Sequence, residues 1–295
     1  MKQYLVDKNA LSCPWIESPF FYDLLEYHKD QYSETDRELL IQFHTNGYIV
    51  LDEVLTDNEC DSIIDDMDTT INNQTFAKQD SRYEYSDSPR VFEAWKNSQP
   101  VLDLARSPKI LSILEMMYGK KAMPFQTINF KKSTNQPYHS DAIHFQTVPY
   151  NWMVGTWTAL EDVSVDTTGT LKYIPGSHKW PFYSFPDLNL QVPGDRGEQF
   201  EPYAEYENFL IQLIKSSGGN ETTFTAKKGS TLIWSANLLH GGTPPPNPDV
   251  TRWSQATHYY FEGCEHYVCP LFSDWQNGEW AHKDLSTKDI LNYTI

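Results

Sequence analysis

Residues 125–160 read FQTINFKKSTNQPYHSDAIHFQTVPYNWMVGTWTAL, and this stretch decides the fold. Its short runs are rich in Thr, Tyr, Phe, Trp and Val and are interrupted by Pro and Gly, a composition typical of strands in a β-sandwich or barrel. The same composition continues to residue 261, and it predicts strands over residues 127–131, 139–144, 154–160, 170–174, 222–225, 230–234 and 253–261. The second half of the chain is therefore predicted to be mainly sheet.

The residues before this stretch show helical periodicity instead. Apolar residues recur at helical spacing, with glycines or capping residues at the ends, and predict helices over residues 36–45, from 56 or 57 to about 71, and over 102–118. A short apolar run over residues 48–51 predicts a strand. The first part of the chain is thus predicted to be a helical flank.

The whole chain is predicted to form one domain over residues 1–295. We expect the helical flank over about 1–120 and the β core over about 121–265, followed by a C-terminal tail. An insertion over about 181–219, with a helical middle over 198–215, is long enough to be a lid over the mouth of a barrel.

The charge of the chain restricts its partners. It has 295 residues with 23 Lys and Arg against 40 Asp and Glu, which gives a formal net charge of −17. This acidic excess disfavours nucleic acid and anionic membrane surfaces, because basic residues hold both. No apolar run approaches the roughly 20 residues that span a bilayer. We therefore expect a small-molecule partner, with the oligomeric state left open.

The cysteines and the N-terminus indicate the compartment. Four scattered cysteines without a C-x-x-C pair do not resemble a disulfide scaffold. The first ten residues lack the apolar segment of a secretory signal. Both observations favour a reducing compartment, and we expect the cytoplasm.

Three His-x-Asp pairs occur in the chain, beginning at His28, His139 and His282. On a strand, residues two apart point to the same face, so such a pair can offer an imidazole and a carboxylate to one metal ion. Only the middle pair begins the strand-rich half, and His240 follows 99 residues after Asp141 (240 − 141). Two imidazoles and one carboxylate on one face form the triad that binds Fe(II) and leaves positions open.

Arg252 follows His240 by twelve residues, on a predicted strand. A guanidinium there can hold a carboxylate through two charge-assisted hydrogen bonds, as a 2-oxo acid anchored at its far end requires. Alternatively, Arg252 is a partner in a surface ion pair.

The order of these motifs resembles the phytanoyl-CoA dioxygenase family of Fe(II)/2-oxoglutarate-dependent oxygenases. The resemblance covers roughly residues 125–261 and rests on His139-Ser140-Asp141, WTALED at 157–162, YIPGSH at 173–178, HGG at 240–242 and Arg252. It implies a double-stranded β-helix, the jelly roll of cupin-like proteins. It also implies that three residues hold the iron: His139, Asp141 and His240.

The same resemblance implies the cofactors and their other contacts. Arg252 would bind the distal carboxylate of 2-oxoglutarate, and Trp157 would line the pocket of this co-substrate or only fill the core. Family members often have a serine two residues after the distal histidine, where this chain has Gly242, and Thr243 is the candidate substitute. Dioxygen is the further co-substrate, and ascorbate is a candidate stimulant.

The implied reaction is oxidation, in the first place hydroxylation, of an unactivated C–H bond of a small molecule, with release of succinate and CO2. Asp141 argues against halogenation, because related halogenases carry a small residue at that position. Candidate substrate contacts are the neighbours of the His-x-Asp pair: Tyr138, His144 and Phe145. His258 shares the strand parity of Arg252 and either points into the barrel or fills the core.

Two other classes of protein would also fit a jelly roll with these residues. A cupin-like enzyme that does not use 2-oxoglutarate, such as an isomerase or a zinc hydrolase, would not depend on Arg252. A non-catalytic binding module would release no succinate.

Overall fold

The computed structural model describes residues 7–8, 11–73, 90–192, 200–285 and 290–295. These residues form six α-helices: α1 (Phe21–Tyr27), α2 (Glu34–Asn46), α3 (Asp57–Asn73), α4 (Gln99–Ala105), α5 (Pro108–Tyr118) and α6 (Phe200–Ser217). They also form twelve strands: β1 (Tyr48–Leu51), β2 (Arg90–Phe92), β3 (Ala122–Phe130), β4 (Gln146–Val148), β5 (Met153–Ala159), β6 (Leu171–Tyr173), β7 (Thr222–Thr223), β8 (Thr231–Ser235), β9 (His240–Gly242), β10 (Ser254–Phe261), β11 (His266–Val268) and β12 (His282–Asp284).

The strands build two facing sheets and a small accessory sheet. The larger sheet has the order β1-β8-β5-β10-β3-β2, and its neighbouring strands are antiparallel. The smaller sheet has the order β7-β6-β9, and His139 extends it through an antiparallel bridge to His240. From β5 to β10 the chain passes back and forth between the larger and the smaller sheet. This is the double-stranded β-helix that the family resemblance implies.

Three clusters of buried apolar residues lie between the sheets and the helices. On the outer face of the larger sheet, Tyr259 and Phe261 of β10 belong to the same core as the N-terminal helices. Between the sheets, Trp157 and Leu232 belong to a second cluster. The predicted helical flank and the β core are therefore joined by one continuous apolar layer, as helix-on-sheet packing requires.

The insertion that the sequence places at 181–219 contains α6, close to the predicted helical segment. Tyr203, Tyr206 and Leu210 of this helix share a buried cluster with Ile174 and Leu239, which come from the smaller sheet and its connections. Its role as a lid stays a prediction. None of the helices in the described part of the chain is long and apolar enough to cross a membrane.

The prediction of one continuous helix over 102–118 is wrong. The structure has α4 and α5 instead, and Ser107 between them has a non-helical backbone with φ −48° and ψ 119°. Pro108 is the cause, because proline disfavours helical geometry at the residue before it and has no N–H to continue the helix.

The predicted strand over 139–144 is also wrong. Only His139 makes a β-bridge, and the backbone then turns into a short 3-10 helix, Asp141–Ile143. The C-terminal tail contributes β11, which pairs with β4 and β12. These short strands carry too few residues for a period-two pattern to be recognised in the sequence.

Candidate active site

His139 and His240 lie directly opposite each other on neighbouring backbone segments of the smaller sheet. The His139 amide donates to the His240 carbonyl at 2.9 Å, and the reciprocal hydrogen bond is also 2.9 Å long. Their ring centroids are 4.3 Å apart. Gly241 allows this approach, since a Cβ there would lie 2.7 Å from the Gln136 carbonyl oxygen. The backbone pairing therefore brings two imidazoles together across about 100 residues of chain.

Asp141 completes a cluster with these two histidines. One ligand atom from each of His139, Asp141 and His240 can be chosen so that all three lie within 4.8 Å of one another. The three residues are between 5% and 7% exposed. Because buried polar side chains of this kind need partners, the cluster has the composition and spacing of a metal site.

The orientation of both imidazoles is fixed by the backbone. Nδ1 of His139 lies 3.0 Å from the Pro137 carbonyl oxygen, and Nδ1 of His240 lies 2.9 Å from the Leu238 carbonyl oxygen. A carbonyl oxygen only accepts, so each Nδ1 carries the proton and donates it. Each Nε2 then keeps a lone pair, which is the arrangement that second contacts impose on metal-binding histidines.

The surroundings of His139 and Asp141 favour a neutral imidazole and an ionised carboxylate. Burial and the neighbouring His240 lower the pKa of His139 to about 3. Burial opposes ionisation of Asp141, but His240 and His258 outweigh it and hold the pKa of this carboxyl below its usual range. Neutral imidazoles and an ionised carboxylate are the forms that bind a divalent metal.

Arg252 lies just before β10 and is only 2% exposed. Its Cζ lies 5.2 Å from the ring centroid of Trp157, and its backbone N–H donates to the Lys131 carbonyl at 2.8 Å. Nε and Nη1 are buried without a hydrogen-bond partner, and within the described ranges no carboxylate lies within 4.0 Å of the guanidinium. Burial and the nearby Arg90 lower the pKa of Arg252 to about 9.

A buried guanidinium without a counter-ion is costly, and a bound anion would offset that cost. The donor set therefore fits both groups that the sequence predicts: a divalent metal at the triad and a carboxylate at Arg252. The surface ion pair considered for Arg252 does not occur among the described residues.

The structure brings Phe145 towards the triad and ties the other predicted contacts to protein partners. Phe145 has its ring centroid 5.1 Å from that of His258, whose Nε2 lies 3.5 Å from Asp141 Oδ2. His144 Nε2 lies 3.3 Å from the Tyr203 hydroxyl. The Tyr138 hydroxyl donates to Glu221. The roles of Tyr138, His144 and Phe145 towards a substrate stay predictions.

Thr243 is engaged with the edge of the smaller sheet. Its hydroxyl accepts a hydrogen bond from the Thr170 amide at 2.7 Å and lies 3.3 Å from the Thr170 carbonyl oxygen. Donor and acceptor capacity are thus largely used within the protein. A contact of Thr243 with the co-substrate stays a prediction that this geometry does not favour.

The sequence did not identify Trp234 and Gln136 as residues of the site, and it left open whether His258 points into the barrel. The Trp234 indole donates to Asp141 Oδ2 at 2.8 Å, and Gln136 Nε2 lies 3.2 Å from His139 Nε2. His258 points into the barrel, as its strand parity with Arg252 allows. For Trp234 the available signal was its position at the end of the predicted strand over 230–234, but that signal does not identify its partner.

The described residues also border a cavity of about 420 Å³. It is lined by residues of β4 and β11, by the segment around Phe182 and by the exposed Trp275 and Trp280, and none of the three triad residues lines it. Tyr150 and Phe182 also line this cavity.

Comparison with known proteins agrees with this geometry. The family model of phytanoyl-CoA dioxygenase matches residues 43–253, more than two thirds of the chain. Bovine (Bos taurus) peroxisomal phytanoyl-CoA dioxygenase is 22% identical over 92% of this chain and 86% of its own length. Ectoine dioxygenase of Nocardia farcinica is 25% identical over 74% of this chain and 77% of its own length.

Solved structures share the fold. The non-heme alpha ketoglutarate dependent carbocyclase SnoK from nogalamycin biosynthesis has a TM-score of 0.63 at 16% identity, over 81% of this chain and 87% of its own. EctD from S. alaskensis, solved with 2-oxoglutarate and 5-hydroxyectoine, has a TM-score of 0.60 at 19% identity, over 83% and 81% of the two chains.

Fold and site together define an oxidoreductase of the Fe(II)/2-oxoglutarate-dependent class. More specifically, the chain belongs to the phytanoyl-CoA dioxygenase family.

Proposed function

We propose that the chain hydroxylates an unactivated C–H bond of a small organic substrate, with His139, Asp141 and His240 holding Fe(II) and Arg252 binding the distal carboxylate of 2-oxoglutarate. The observation that carries this proposal is the presence, in one fold, of the three-residue cluster and of a buried guanidinium that has no counter-ion among the described residues. Bound Fe(II), with 2-oxoglutarate and dioxygen, supplies the oxidation, and the co-substrate leaves as succinate and CO2.

The residues of the chain perform the remaining tasks. Nε2 of His139 and of His240 and one oxygen of Asp141 would hold the metal, and three protein ligands would leave positions open for other ligands. Arg252 attracts and orients the co-substrate in a buried position, where a charge-assisted hydrogen bond is stronger than in water. The rigid backbone bridge between the histidines keeps this geometry before any ligand binds.

The substrate is proposed only by class. Phe125, Phe145 and Tyr267 form an aromatic group next to His258, so an apolar face of the substrate would find partners there. The relatives' names range from phytanoyl-CoA to ectoine, so the family leaves the substrate open. The net charge of −17 does not favour a dedicated site for the phosphates of coenzyme A.

The test is succinate release from 2-oxoglutarate by metal-depleted protein reconstituted with Fe(II), ascorbate and air. We expect slow release by the wild type, and loss of release in His139→Ala and in Arg252→Ala. Arg37→Ala, on α2, is the matched control for removal of an arginine. A silent wild type that also fails to bind 2-oxoglutarate under nitrogen would contradict the co-substrate assignment.

A further inference from the structure

The two carboxylate oxygens of Asp141 have different surroundings. Oδ1 lies 3.7 Å from Nε2 of His240, on the side of the metal cluster. Oδ2 accepts the 2.8 Å hydrogen bond from the Trp234 indole and lies 3.5 Å from Nε2 of His258. Oδ2 is therefore held by Trp234 and His258, while Oδ1 faces His240.

Trp234 can reach Asp141 because of what lies opposite it in the sheet. Gly155 on β5 pairs with Trp234 on β8 and with His258 on β10, so the three residues share one face of the sheet. A Cβ at position 155 would lie 2.5 Å from Cε2 and Cζ2 of the indole. The indole therefore lies across the β5 backbone in space that only a glycine leaves open.

The indole also contacts a second member of the cluster. Its ring centroid lies 5.0 Å from that of the His240 imidazole, at an interplanar angle of 49°. Trp234 is 3% exposed, so its single N–H donor needs a buried acceptor, and the Asp141 carboxylate provides it. One side chain thus touches two of the three proposed metal ligands.

We propose that Trp234 is a positioning residue of the metal centre: its indole N–H occupies Asp141 Oδ2 so that the carboxylate offers the metal Oδ1 alone. Gly155 provides the space for the indole, and His258 is the second contact of Oδ2. One-oxygen binding leaves one more coordination position open than chelation by both oxygens. This inference rests on the proposed metal site.

The experiment measures metal binding without turnover. Wild type and Trp234→Phe are titrated with Co(II) in the absence of substrate, and both the dissociation constant and the visible absorption spectrum are recorded. We expect the dissociation constant of Trp234→Phe to rise by about 10-fold to 100-fold, as for other contacts that orient metal ligands. We also expect its spectrum to change, because a released Oδ2 can join the coordination.

Trp95→Phe is the matched control. Trp95 is likewise 3% exposed, and its Nε1 has no partner in the described part of the chain. It belongs to the helix-side core, away from the triad. This variant removes a buried indole without removing a hydrogen bond to a ligand, so we expect unchanged Co(II) affinity and an unchanged spectrum.

The outcomes separate this inference from the proposed function. A wild type that binds no Co(II) contradicts the metal site itself. A wild type that binds Co(II), with a Trp234→Phe variant of equal affinity and identical spectrum, overturns the role of Trp234. If Trp234→Phe does not fold, replacement of Trp234 by benzothienylalanine keeps the ring shape and removes only the N–H. The Co(II) dissociation constant and the visible spectrum of that protein then test the role of the N–H.

Discussion

At the scale of single residues, the Arg252 guanidinium is the buried charged group that most clearly needs a binding partner. Its guanidinium is buried, and its Nε and Nη1 have no hydrogen-bond partner in the part of the chain that the structure describes. We expect Arg252→Ala to weaken 2-oxoglutarate binding to the metal-loaded protein about 100-fold, roughly 3 kcal/mol, because a buried charge-assisted contact is lost. Anaerobic titration of the metal-to-ligand absorption band measures this.

Arg252→Lys tests the geometry of the same contact. A lysine keeps the charge but cannot make two parallel hydrogen bonds to a carboxylate. We expect its affinity for 2-oxoglutarate to lie between those of the wild type and Arg252→Ala, with metal affinity unchanged in both variants. Equal affinities in all three proteins would show that the co-substrate does not use Arg252.

At the scale of secondary-structure elements, the approach of β9 to the segment before His139 depends on Gly241. A Cβ there would lie 2.7 Å from Gln136 O and 3.0 Å from Pro137 O, which are backbone atoms that cannot rotate away. We expect Gly241→Ala to lower the free energy of unfolding by about 1 to 3 kcal/mol, as overpacking does. Urea denaturation measures the change.

Gly242→Ala is the graded comparison for this prediction. The nearest atom to a Cβ at position 242 would be Gln136 N at 3.2 Å, a milder contact. A smaller loss of stability is expected there, and a smaller loss of Co(II) affinity as well. If Gly242→Ala is the more damaging of the two, the close approach at Gly241 does not limit the pairing of the histidines.

Another element-scale prediction concerns Glu17, on the 3-10 helix Trp15–Glu17. Its carboxylate accepts hydrogen bonds from Ser235 at 2.7 Å and Asn151 at 3.0 Å, but burial outweighs them and raises its pKa to about 7. The folded protein therefore binds more protons than the unfolded chain between about pH 4.5 and 7. Stability contributed by protonated Glu17 is lost as the pH rises through this window.

Glu17→Gln cannot ionise and should lack this dependence. We expect the difference in unfolding free energy between variant and wild type to move by about 2 to 3 kcal/mol in favour of the variant from pH 5 to 8, since each unit of pKa shift corresponds to about 1.4 kcal/mol. Urea denaturation at several pH values measures it. Glu34→Gln, exposed at the start of α2, is the control, and parallel curves for all three proteins would contradict the prediction.

At the scale of the whole molecule, ligand binding and folding are coupled. The proposed ligands of metal and co-substrate come from segments as distant as Asp141 and Arg252, so the site exists only in the folded chain. With Ni(II) present, we expect 2-oxoglutarate at 100 times its dissociation constant to add about 2.7 kcal/mol, which for a chain of 295 residues raises the Tm by about 4 °C. Differential scanning calorimetry measures the shift.

The metal dependence of this shift is its control. Ni(II) does not turn over, so the same sample can be scanned with and without it. We expect most of the 2-oxoglutarate effect to disappear without Ni(II) and in Arg252→Ala. An equal shift without metal would mean that the co-substrate binds elsewhere.

The sequence alone was sufficient to predict the features that composition and short motifs encode. Strand composition predicted a β-sandwich or barrel, and the family resemblance implied the jelly roll. The His-x-Asp pair followed by His240 predicted three residues that the structure brings within 4.8 Å of one another. The strand signals work because a period of two places alternate side chains on one face wherever the strand lies. This reason does not apply to the His-x-Asp pair, since only His139 makes a β-bridge there. The sequence signals failed at Pro108, where one helix becomes two, and after His139, where the backbone turns.

Only the tertiary structure decided what each side chain meets. Trp234 and Asp141 are 93 residues apart, and their hydrogen bond depends on the register that sets Trp234 opposite Gly155. Whether Arg252 has a counter-ion is likewise a property of the folded protein. Such contacts are set by strand register and by packing against distant segments, which a local sequence pattern does not encode.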